Sequence, residues 1–83
     1  MRQIFRGLDL KGADMTEANL TDSDFTRTNL SNANLSYANL GEVEMIEVNL
    51  TSANLIGADF RDANLTDSIL VNANLKNVNL AGG

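Results

Sequence analysis

A large apolar side chain returns every five residues along this chain. It stands at Phe5, Leu10, Met15, Leu20, Phe25, Leu30, Leu35, Leu40, Met45, Leu50, Leu55, Phe60, Leu65, Leu70, Leu75 and Leu80, and no insertion or deletion breaks the phase. We call this position the centre of the repeat. The residue before it is Asn or Asp in thirteen of the sixteen repeats, with Ile4, Glu44 and Ile69 as exceptions. Two before it lies Ala, Ser, Thr or Val in fourteen repeats, Gln3 and Leu8 departing near the start. The two residues after the centre vary and are mostly polar. The run "SNANLSYANL", Ser31 to Leu40, shows the pattern in its plainest form.

A period of five suits neither common element. On an α-helix five residues advance about 500°, so the centres would spiral around the surface. On a flat strand an odd period sends successive centres to opposite faces. A chain that turns a corner once per repeat resolves the conflict, because the corner restores the inward direction. The centre and the small residue two before it then point inward, and the Asn or Asp between them points out. The corner falls on the two variable positions. The second of these holds Gly7, Gly12, Gly57, Gly82, Asn32, Asn72 and Asn77, residues that tolerate the positive φ of a type II turn. Tyr37, Glu42 and Glu47 share that position, which predicts a mixture of turn types.

In this pattern the chain resembles the pentapeptide-repeat family, whose motif is (Ala/Ser/Thr/Val)-(Asp/Asn)-(Leu/Phe)-X-X. The match runs from about Gln3 to Leu80. The resemblance implies an all-β fold, a right-handed quadrilateral β-helix with four repeats per coil. Periodicity alone does not choose four over three. Given four, sixteen repeats make about four coils, and residues twenty apart stack at about 4.8 Å. The expected organisation is a single domain over residues 1–83, stabilised by stacking of coils that cannot hide their inner faces alone.

Composition narrows the functional classes. The 83 residues contain neither His nor Cys, which removes imidazole acid–base chemistry, Ser-His and Cys-His nucleophiles, disulfides and thiolate metal sites. We expect no enzyme activity, no cofactor and no metal. The net charge of −5, with 6 basic residues against 11 acidic, argues against direct binding to nucleic acid or an anionic membrane. No apolar run approaches a membrane span and no signal-peptide core is visible, so a cytoplasmic protein is the default expectation. The Asn-X-Ser/Thr triplets at Asn19, Asn29, Asn34, Asn49 and Asn64 follow from Asn preceding the centre and are not read as glycosylation sites.

Twenty-residue stacking predicts surface columns. Asp22, Glu42 and Asp62 align at one corner, Asp24 and Glu44 lie beside them, and Glu47 and Asp67 stack at the next corner below Arg27. These seven carboxylates form a candidate interaction stripe, which a solvated acidic face would also explain. Ile69 and Val71 make a small apolar spot near the C-terminal coil. No capping helix is evident at either end, so the open coils are expected to invite end-to-end homo-oligomers. The leading functional expectation is a non-catalytic structural or protein-interaction module, a rigid rod that displays its variable positions to an unidentified protein. The alternative, carried by the family resemblance, is a DNA-mimicking regulator of a type II topoisomerase such as gyrase.

Overall fold

The computed structural model describes residues 2–82. Among them no helix forms, and each repeat contributes one bridge residue, one corner and nothing longer. Every bridge is parallel and joins residues twenty apart. Four columns result, which we number as sides: side 1 stacks Ile4, Asp24, Glu44 and Asn64; side 2 Asp9, Asn29, Asn49 and Ile69; side 3 Asp14, Asn34, Asn54 and Asn74; side 4 Asn19, Asn39, Asp59 and Asn79. One circuit of the chain therefore takes twenty residues, or four repeats.

The repeat satisfies its backbone donors one by one, as a folded chain must. The centre donates forward to the next circuit, as Leu30 N does to Asn49 O at 2.8 Å, and the second corner residue does likewise, Asn32 N to Thr51 O at 2.9 Å. The bridge residue donates back, Asn34 N to Ala13 O at 2.9 Å. The small inner residue closes the turn, Ala33 N to Leu30 O at 3.0 Å. That leaves the first corner amide, and the side chain before the centre takes it. Asn29 Oδ1 accepts from Ser31 N at 3.0 Å, and Asn49 Oδ1 from Thr51 N at 3.0 Å. All thirteen Asn and Asp residues at this position make the same bond. The position is an Asx turn, not merely an outward polar one. Where Ser or Thr follows the centre its hydroxyl usually joins in, as Thr51 Oγ1 does at 2.6 Å and Ser31 Oγ at 2.8 Å.

The expected mixture of turn types does not occur. All sixteen second corner residues have positive φ, from +57° at Glu47 to +72° at Gly7, Gly12 and Gly82, and Tyr37 and Glu42 both sit at +59°. The left-handed conformation costs a non-Gly residue about 1–2 kcal/mol. Neighbouring circuits impose it all the same, because the corner amides of Tyr37 and Glu42 are held by Ile56 O and Arg61 O, each at 2.8 Å. Backbone register overrides side-chain preference here.

The core lies on the axis. Leu30, Leu35, Leu40, Met45, Leu50 and Leu55 are fully buried, with Ala33, Ala38, Ala53 and Ala58 between them as the small partners. Phe5 and Phe25 stack on side 1 with centroids 4.6 Å apart. Burial fades toward both ends, because a terminal circuit has a neighbour on one side only. Phe5, Leu10, Met15, Leu65 and Leu70 are partly covered, whereas Leu75 and Leu80 remain 42% and 49% exposed. Not all sixteen centres are interior.

Candidate interaction surface

The corner between sides 4 and 1 carries Asp22, Glu42 and Asp62, stacked as the twenty-residue register requires, each at positive φ and exposed. None of the three forms an ion pair among the described residues. Beside Glu42 the first corner position is Gly41, between Thr21 and Arg61 in its column. Its missing side chain opens a shallow polar recess of about 190 Å³ lined by Thr21, Asn39, Gly41, Glu42, Arg61 and Asp62. A Cβ at Gly41 would come to 3.4 Å from Asn39 Oδ1. Arg61 is turned toward Asp59, its Nε 2.9 Å from Oδ2. The guanidinium, followed by the Arg61 amide, holds the Asp59 carboxyl below its ordinary range.

Four other members of the stripe sit differently. Asp24 is 2% exposed. Arg6 grips one carboxylate oxygen through Nε at 3.0 Å and Nη2 at 2.6 Å, and Thr26 N donates to the other at 2.9 Å. The carboxyl is pulled down to about 2 by the neighbouring Thr26 hydroxyl, the Thr26 amide and the Arg6 guanidinium, against the desolvation that opposes them. The hydroxyl is first among these influences, yet it forms no bond of ordinary geometry and is the one buried side-chain polar atom without a partner among the described residues. The directional partners are thus the amide and the guanidinium. Glu44 is paired with Arg2, Oε2 to Nη2 2.9 Å. Glu47 lies 3.9 Å from Arg27, a loose contact between exposed groups that contributes little. Asp67 completes the second corner and is exposed.

The stripe is therefore divided. One corner offers three unpaired carboxylates next to a recess, while arginines answer Asp24, Glu44 and Glu47. The sequence columns left out Arg2 and Arg6. Their signal was present, since Arg6 and Asp24 are eighteen residues apart, close to the stacking interval of twenty. Gly41 also escaped notice, although it is the only Gly at the first corner position.

Two apolar features complete the surface. Tyr37 is 64% exposed, and its ring lies over Gly57, where a Cβ would meet the ring carbons at 2.6 Å. Ile69 and Val71 are 49% and 59% exposed. Ile69 replaces the Asx acceptor, and the Val71 amide has no hydrogen-bond partner among the described residues.

The sequence matches the family of pentapeptide repeats in 8 copies, over residues 2–32, 28–67 and 44–82. Members of known structure fold as right-handed quadrilateral β-helices. Among solved structures, HetL, a pentapeptide repeat protein involved in heterocyst differentiation regulation in the cyanobacterium Nostoc sp. strain PCC 7120, is 28% identical with a TM-score of 0.55; the alignment covers 93% of this chain and 39% of HetL. The pentapeptide repeat protein Rfr23 of the cyanobacterium Cyanothece 51142 is 32% identical with a TM-score of 0.49, over 87% of this chain and 59% of Rfr23. The chain thus spans less than two thirds of the length of either protein. No curated protein gives a significant match.

Proposed function

Because this chain belongs to the pentapeptide repeat family, we propose that it is a non-catalytic protein-interaction module, a right-handed rod of about four coils that recognises a partner through the Asp22–Glu42–Asp62 corner. The observation that carries this reading is the row of three unpaired carboxylates beside the Gly41 recess, on a backbone that fixes every corner at positive φ whatever side chain it bears. Such a scaffold leaves its corner residues free to serve recognition. The partner is a protein that presents Lys or Arg side chains at strand spacing, one of them long enough to enter the recess. The absence of His and Cys supports a role without catalysis. HetL, a regulator in its own organism, supports a regulatory use of the same fold.

The DNA-mimic alternative draws less support from the surface. A duplex carries about one charge per 1.7 Å of axis, or roughly 13 over 22 Å, whereas this protein, 22 Å across its shortest extent, has a net charge of −5. Arginines also neutralise the carboxylates beside the acidic corner, Asp24 and Glu44.

The test compares the wild type with the triple variant Asp22→Asn, Glu42→Gln, Asp62→Asn as bait in lysate from the organism of origin. A specific protein retained by the wild type, released by salt and lost with the triple variant is the expected result. Identical captured sets would overturn the assignment of the corner. Parallel supercoiling assays with gyrase are expected to show no inhibition at micromolar protein; inhibition would favour the alternative.

A further inference from the structure

Side 3 is a wall of a different character from the acidic corner. No charged residue occurs from Thr28 to Gly41 or from Val48 to Ala58. The two middle circuits therefore cross this side and both of its corners without a charge, in a protein of net charge −5. The turn that fixes each corner also fixes what the wall displays. Asn34 Oδ1 accepts from the Ser36 amide at 3.0 Å, Asn54 Oδ1 from the Ile56 amide at 3.1 Å and Asn74 Oδ1 from the Lys76 amide at 3.1 Å. With the oxygen anchored, each Nδ2 is left as a donor, and none of the three has an acceptor among the described residues. Bridges from Asn34 to Asn54 and from Asn54 to Asn74 set these donors one circuit apart, about 4.8 Å. Sides 2 and 4 carry two neighbouring Asn residues each, but Ile69 and Asp59 interrupt them.

The two edges complete the wall. Asn32 and Ser52 stack at the corner with side 2, both exposed. Tyr37 stands at the corner with side 4, its ring resting against Gly57, where a Cβ would meet the ring carbons at 2.6 Å. The ring occupies the room that Gly57 leaves and stays 64% exposed.

These features select a class of ligand. Donors and a ring already held in place bind without a further cost of ordering them. An aromatic ring packs against an apolar face, and amides and hydroxyls meet hydroxyls; a hexose presents both. The missing charge gives a phosphate, a carboxylate or a basic segment no counterpart, and the net charge of the protein repels anions. A second copy laid wall to wall is disfavoured by area. The protein measures 28 × 26 × 22 Å, so one wall offers less than the roughly 800 Å² per partner of a standard interface.

We propose that side 3 binds a neutral glycan, an extended chain of β-linked hexoses lying along the axis. Hydroxyls of successive hexoses accept from Nδ2 of Asn34, Asn54 and Asn74, and one sugar ring packs against Tyr37. The acidic corner takes no part, so this proposal and the protein partner proposed there fail separately.

The chain has one Tyr and no Trp, so intrinsic tyrosine fluorescence reports on this wall alone. Titration with cellohexaose is expected to change the emission saturably, and the side-chain amide resonances of Asn34, Asn54 and Asn74 should shift with it. An oligogalacturonate of equal length is expected to change neither. Asn54→Asp keeps the Oδ1 acceptor but replaces the outward donor, so it should weaken binding at least about tenfold while keeping the wild-type melt. Tyr37→Ala, followed by calorimetry, should weaken it similarly, and Asn49→Asp, on side 2, should bind as the wild type does. No response to millimolar cellohexaose would overturn the proposal. Equal binding of oligogalacturonate, or undiminished binding by Asn54→Asp and Tyr37→Ala, would do the same.

Discussion

Removing the carbonyl of Asn49 tests the accounting of corner hydrogen bonds most sharply. Asn49 Oδ1 accepts from the Thr51 amide at 3.0 Å and the Thr51 hydroxyl at 2.6 Å, and both residues are half-buried. Each neutral hydrogen bond contributes about 0.5–1.5 kcal/mol net, so Asn49→Ala should cost about 1–3 kcal/mol. A fold of this size is stable by about 4–12 kcal/mol, and 1 kcal/mol moves its Tm by about 4–8 °C. The loss is therefore measurable by urea titration and thermal melts followed by far-ultraviolet dichroism. Two companion variants separate geometry from polarity. Asn49→Asp keeps the acceptor at the same reach, and its column neighbours Asn29 and Ile69 carry no charge, so it should stay within about 0.5 kcal/mol of wild type. Asn49→Gln keeps the amide but lengthens the stem, which places the carbonyl beyond the local turn, and should behave like Ala. In a Thr51→Ser background the Ala penalty should persist, since the second hydroxyl donor remains. An Ala variant as stable as wild type would refute the reasoning, as would a Gln variant matching Asp.

Three other outcomes follow from the same structure. The Asp24 carboxyl, lowered from 3.8 to about 2, stabilises the fold fully above about pH 4 and loses that contribution as pH falls toward 2. Its cover is the solvent-facing Arg6 side chain, so screening reduces the effect to about 1–2 kcal/mol; Asp24→Asn should flatten the acid limb of Tm against pH, and an unchanged limb would contradict the pairing. Leu50→Ala, at a fully buried centre, should cost about 2–5 kcal/mol in urea titration, whereas Leu80→Ala, at a centre 49% exposed, should cost under about 1 kcal/mol. Ser52 has φ +58°, so Ser52→Gly should be neutral to stabilising by up to about 1 kcal/mol as relief of strain outweighs glycine entropy, and Ser52→Val should melt earlier than wild type.

What the sequence could reveal followed from its period. The inward run of Leu30, Leu35, Leu40 and Met45 was legible because an uninterrupted five-residue spacing admits one inward direction per corner. The stacking interval was legible only through family resemblance, since nothing in the spacing of centres separates fifteen from twenty. The role of Asn before the centre was half visible. The dominance of Asn and Asp at that position was the signal of an Asx turn, because a short side chain bearing a carboxylate or amide oxygen holds the amide two residues on more strongly than a hydroxyl does, and longer side chains overshoot it. The same geometry explains the Asn-X-Ser/Thr triplets: Thr21, Ser31, Ser36, Thr51 and Thr66 each donate a hydroxyl hydrogen bond to the preceding Asn. Corner conformation was misjudged at Tyr37, Glu42 and Glu47 because residue preference is a local quantity, and the constraint comes from a circuit twenty residues away. The acidic stripe was drawn from residues one stacking interval apart, which placed Arg27 above Glu47 but not Arg6, eighteen residues from Asp24, so the burial of Asp24 under Arg6 was missed.

The central claim is that one circuit takes twenty residues. The chain has no Cys, so paired cysteines report on it without interference. Stacked strands lie about 4.8 Å apart, inside the range of about 4.4–6.8 Å that a disulfide spans between Cα atoms. The most direct measurement is the yield of intramolecular disulfide on mild oxidation of Asn32→Cys with Ser52→Cys, against Tyr37→Cys with Ser52→Cys, fifteen residues apart. The account predicts near-complete closure of the first pair with an undiminished melting transition, and little closure of the second. Ready closure at fifteen with failure at twenty would contradict it.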